Sequence, residues 1–97
     1  MLDLEPRHLE LVRAILHRNL PGARSFAFGS RTTGQAKRFS DLDLAVQADA
    51  PLGLLQLGAL RDEFSESDLP MIVDVIDLSS VSMEFAETIS GTLVPLS

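Results

Sequence analysis

Ser40-Asp41-Leu42-Asp43-Leu44-Ala45-Val46 is the stretch on which the reading of this chain turns. Leu42, Leu44 and Val46 take alternate positions, the pattern of a half-buried β-strand with one face toward a core, so Asp41 and Asp43 leave from the opposite face. Two like charges side by side on a strand repel, and partial burial adds a desolvation cost, so the pair calls for a cationic partner. A divalent metal suits that requirement. Two Mg²⁺ ions held about 3.5–4 Å apart by carboxylates serve in-line displacement at phosphorus. By itself, an Asp-x-Asp strand is more often a solvated face.

Upstream, Arg24-Ser25-Phe26-Ala27-Phe28 forms a second candidate strand that runs straight into Gly29-Ser30-Arg31, and ten residues separate Ser30 from Asp41. Glycine there permits unusual backbone angles or the close approach of a phosphate. Ser30, near a helix start, can hold phosphate oxygens with its hydroxyl and with first-turn N–H groups, or can simply cap the helix. Downstream, Met71-Ile72-Val73-Asp74-Val75-Ile76-Asp77 is apolar apart from its acids. Asp74 shares a face with Ile72 and Ile76 and interrupts a run that is otherwise apolar on both faces. Beside the Asp41/Asp43 strand it completes a three-carboxylate metal site; alone, it reads as an exposed acid on an edge strand. Asp77 has the opposite parity and reads as a strand-end or capping residue. Thr32 to Gln35 read as turn residues ending a short helix, Arg31 as the cation best placed to neutralise a triphosphate, and Lys37 and Arg38 as solvated loop charges.

Phe28-Gly29-Ser30-Arg31-Thr32-Thr33-Gly34, Ser40-Asp41-Leu42-Asp43-Leu44 and Val73-Asp74-Val75-Ile76-Asp77 together resemble the minimal nucleotidyltransferase domains of the DNA polymerase β-like superfamily. The resemblance implies that Gly29, Ser30 and Arg31 hold a nucleoside triphosphate, that Asp41 and Asp43 bind two Mg²⁺ ions, and that Asp74 ligates metal and activates the attacking hydroxyl. It also implies ATP as substrate and a HEPN-domain toxin as partner. In such toxin–antitoxin pairs the nucleotidyltransferase is the antitoxin and transfers AMP to a tyrosine of the toxin. A small-molecule acceptor, as in aminoglycoside nucleotidyltransferases, and a non-catalytic antitoxin that neutralises by burial alone stand as alternatives.

The 97 residues are expected to make one nucleotidyltransferase domain, 1–97, burying roughly 60–65% of its unfolded surface. No cysteine is present, which excludes a disulfide scaffold and thiolate-bound zinc. Without a signal-like or membrane-spanning run, a cytoplasmic location is expected. The net charge of −6 is uneven: residues 1–38 carry seven basic and three acidic side chains, residues 39–97 one and eleven. That acidic surface disfavours a nucleic-acid substrate. Leu9, Val12, Leu16 and Leu20 follow Pro6 at helical spacing, with Pro21-Gly22 as the stop. His8 and His17 fall on that helix without ligand spacing. A second helix is expected from Asp49-Ala50-Pro51 through Phe64, and a last from Val81 to Ser90. Thr92-Leu93-Val94-Pro95-Leu96 is expected as a short edge strand. The expected fold class is α/β (α+β): a mixed β-sheet with helices packed on one face and the acids on the other.

Overall fold

A computed structural model describes residues 2–37 and 40–96. The elements run α1 (Pro6–Asn19), β1 (Arg24–Phe28), α2 (Ser30–Thr33), β2 (Leu42–Gln47), α3 (Leu54–Glu66), β3 (Val73–Asp77), α4 (Met83–Ser90) and β4 (Val94–Pro95). The sheet order is β3-β2-β1-β4. β1 pairs antiparallel with β2 and β4, whereas β2 and β3 are parallel and are joined through α3, since parallel neighbours need a crossover.

Period-two alternation on the strands and period-3.6 alternation on the helices meet in a single core. Ala27, Leu42, Leu44, Val46 and Val75 face Val12, Ile15 and Leu16 of α1 and Leu60 and Phe64 of α3. Each buried aliphatic side chain contributes about 1.5–3 kcal/mol of hydrophobic stabilisation. Polar ties align the two helices: Asn19 Nδ2 donates to Glu63 Oε1 at 2.8 Å and Arg18 pairs with Glu63. The Arg61 guanidinium donates to the Val75 carbonyl at 2.9 Å and fastens α3 to β3. This is the mixed sheet with α1 and α3 on one face that the alternation leads one to expect. α4 adds a contact on the other face. Its Phe85 ring meets Phe28 edge-on, with centroids 6.3 Å apart and planes at 84°, and Phe28 has the parity opposite to Ala27.

Three boundaries differ from expectation. α3 begins at Leu54, not near Asp49, because the Leu52 N–H is taken by Asp77 Oδ2 at 2.8 Å and Gly53 is extended, with φ −75° and ψ 160°. α4 begins at Met83, where the Ser82 hydroxyl accepts from the Phe85 N–H at 3.1 Å and caps the first turn. β2 begins at Leu42, so Asp41 stands just before the strand and not within it. The tail strand is short, Val94–Pro95, and lies at the sheet edge that Pro95 demands. No helix among the described residues is long and apolar enough to cross a membrane.

Candidate functional site

The β1–β2 register sets Phe28 opposite Asp43, and the parallel β2–β3 register sets Asp43 opposite Asp74. Gly29 leaves the end of β1 beside Asp43. Its φ of 81° and ψ of −154° lie where an L side chain is strained. A Cβ at Gly29 would stand 2.5 Å from Asp43 Oδ2. Glycine is therefore demanded twice, by its own backbone and by the carboxylate lying against it. The close approach expected of a phosphate is made here by an aspartate of the protein itself.

Ser30 opens α2 directly after that turn, and Gly34, left-handed at φ 78°, closes the same helix. The first turn of a helix leaves N–H groups without intrahelical acceptors, which is what an anion at Gly29-Ser30 needs.

Asp43 is half-buried, whereas Asp41 and Asp74 are exposed. Burial raises the Asp43 pKa above its ordinary 3.8, and the negative charges of Asp74 and then Asp41 raise it further. The three carboxylates thus share one electrostatic neighbourhood centred on Asp43. Among the described residues, however, no group of three or more His, Cys, Asp or Glu side chains is placed to hold a metal ion. Among the described residues the three acids thus do not by themselves form a closed metal cage. Mg²⁺ does not require one, because it is commonly held by one or two carboxylates together with substrate phosphates and water. The all-oxygen donor set, with one carboxylate already desolvated and repelled by its neighbours, fits such an ion.

Arg31 departs most from expectation. Its side chain is buried, and its guanidinium is committed to the backbone: Nε and Nη2 donate to the Ser40 carbonyl at 3.1 and 2.9 Å, and Nη1 to the Asp3 carbonyl at 2.9 Å. An arginine whose fork grips two carbonyls is a structural tie and does not present itself as a triphosphate cation. Lys37 is an exposed loop residue, as expected, and Arg38 lies outside the described residues.

Asp77 caps the end of β3. Burial on its own would raise its pKa, but bonds from the Leu52 N–H, the Ser79 hydroxyl and N–H, and the Ser80 hydroxyl outweigh that and hold it below 3.8. Asp43 and Asp77 are thus perturbed in opposite senses, one by burial together with the repulsion of its neighbours and one by a full set of donors.

Residues 10–95 match the family model described as Polymerase beta, Nucleotidyltransferase. The chain is 44% identical over 93 residues to a probable protein adenylyltransferase MntA of Haemophilus influenzae, covering 96% of this chain and 82% of that protein. A chain in the crystal structure of a toxin–antitoxin complex with AMP-PNP superposes with a TM-score of 0.80 at 28% identity, covering 92% of this chain and 72% of that one. A complex of a tri-AMPylated Shewanella oneidensis HEPN toxin with its MNT antitoxin shares the fold, with a TM-score of 0.77 at 23% identity, covering 97% of this chain and 72% of that one.

Proposed function

Because this chain belongs to the polymerase beta nucleotidyltransferase family, we propose that it is a protein adenylyltransferase. It moves AMP from ATP to a tyrosine hydroxyl of a HEPN-domain toxin and so acts as the antitoxin of a pair. The observation that carries this reading is the Asp43 carboxylate, in register with Asp74 and lying against the Gly29 turn where no side chain fits. The likeness to a probable protein adenylyltransferase over 96% of the chain and to a toxin–antitoxin complex with AMP-PNP supports the choice of donor and acceptor.

The turn of Gly29 and Ser30 receives the triphosphate, with the Ser30 hydroxyl and first-turn N–H groups donating to phosphate oxygens. Asp41, Asp43 and Asp74 would hold Mg²⁺, two ions in this reading, whose chemistry is to neutralise the charge that builds on the phosphoryl oxygens and the leaving group. Asp74, exposed on β3, is open to an incoming hydroxyl and accepts its proton. The acceptor oxygen bonds to the α-phosphorus as the bond to the bridging oxygen breaks, and pyrophosphate leaves. Positioning and charge neutralisation supply most of the rate.

The test is intact-mass spectrometry of the cognate partner after incubation with this protein, ATP and Mg²⁺. The expected result is a mass gain of one AMP unit per modified hydroxyl, absent with Asp41→Asn/Asp43→Asn. If no nucleotide gives a gain and that variant still protects cells from the partner, the protein neutralises by binding alone.

A further inference from the structure

The two β-ladders that flank Asp43 hold it from both sides, but Asp41 precedes β2 and has no ladder of its own. What fixes its position is found one residue earlier. The Ser40 carbonyl is gripped by both Nε and Nη2 of Arg31, whose side chain is only 6% exposed. Arg31 in turn is bonded covalently to Ser30 of the turn, and its own carbonyl accepts from the Asp3 N–H at 2.6 Å while its Nη1 donates to the Asp3 carbonyl. One planar fork therefore spans from the Gly29-Ser30 turn to the residue beside Asp41.

We infer that Arg31 is a positioning residue: by holding the Ser40 carbonyl it sets where the Asp41 carboxylate stands relative to the Gly29-Ser30 turn. The inference rests on the reading of Asp41 as a metal ligand and Ser30 as a phosphate ligand, and it names a part for Arg31 other than binding phosphate. The residue type follows from the task. Arginine keeps its charge when buried and presents its donors in a rigid plane, so two can meet one carbonyl while a third reaches another. Lysine carries its donors on a single nitrogen at the end of a flexible stem. Charge-assisted bonds to carbonyl oxygens offset the hydration that the buried cation gives up.

The experiment titrates Mn²⁺ into the full chain with AMP-PNP present and reads free Mn²⁺ by electron paramagnetic resonance. In Arg31→Lys the half-saturating Mn²⁺ concentration rises about tenfold, the range for residues that orient metal ligands, whereas AMP-PNP binding without metal is unchanged. Hydrogen exchange at the Leu42 amide, which donates to the Ile72 carbonyl, quickens in the same variant while the β1 amides keep their protection. Where the lysine variant fails to fold, Arg31→Gln carries the test, since it leaves no unpaired charge in the interior. An unchanged Mn²⁺ midpoint overturns the inference. So does weaker metal-free AMP-PNP binding with an unaltered midpoint, which would make Arg31 a phosphate ligand after all. Asp41→Asn separates the two levels: if it shifts the midpoint and the Arg31 variants do not, only the positioning role is lost. If it too has no effect, the metal reading of Asp41 fails and takes the positioning role with it.

Discussion

At Gly29 a single missing Cβ gives the Asp43 carboxylate room to lie against the turn. Gly29→Ala is expected to cost about 1–3 kcal/mol from backbone strain, and to displace Asp43 as well, so urea denaturation should show lower stability and calorimetry weaker ATP binding. Asp43 and Asp77 make opposite predictions. The folded-state pKa of Asp43 is raised, so its ionised form opposes folding at neutral pH. In metal-free buffer Asp43→Asn should therefore be more stable than wild type at pH 7. The advantage shrinks as pH falls through the raised folded pKa toward 3.8. For Asp77 the folded pKa is lowered, so its contribution is present above 3.8 and is lost as pH falls through the folded value. Asp77→Ala should cost about 1–3 kcal/mol at pH 7, because it leaves the Leu52 N–H without its acceptor. Urea midpoints measured across a pH series check both signs. Asp77 was legible as a cap from its parity and the serines that follow. Arg31 was not, because proximity to Ser30 in sequence says nothing about which way a long, flexible side chain turns.

Among the elements, those with strong periodicity matched their sequence patterns, and those set by tertiary bonds did not. α1 runs from Pro6 to Asn19 as its apolar spacing implies. Ile15 on its inner face is almost fully buried, so Ile15→Ala should cost about 2–5 kcal/mol, measured by chemical denaturation. The start of α3 could not be read, because Asp49-Ala50-Pro51 has the chemistry of a helix start. Asp77, 25 residues from Leu52, claims the next amide instead. Asp41 looked like part of β2 for a similar reason: alternation continues through it, whereas ladder pairing begins at Leu42. The Asp43–Asp74 pairing was foreseen only conditionally. Parity placed each acid on a face, but neighbouring strands are a property of the sheet order.

For the molecule as a whole, an acidic chain of this size holds its net negative charge at some cost, and a ligand that brings cations offsets it. Mg²⁺ with AMP-PNP at about a hundred times its Kd should add about 2.7 kcal/mol. For a domain this small that corresponds to roughly 10–20 °C in Tm. Scanning fluorimetry checks the shift, and Asp43→Asn should abolish its metal-dependent part. β3 is one of the two edge strands of the sheet, and Asp74 on it is exposed, with Ile72, 70% exposed, two residues before it. An acceptor can thus arrive from the flank, at a rim. A rim grips little of a short flexible peptide, whereas a folded partner brings its own surface to complete the enclosure. Under the proposed transfer, catalytic recognition then belongs to the three-dimensional shape around the target hydroxyl and not to the residues adjoining it in sequence. A tyrosine peptide cut from the partner should be modified far more slowly than the intact partner at equal concentration.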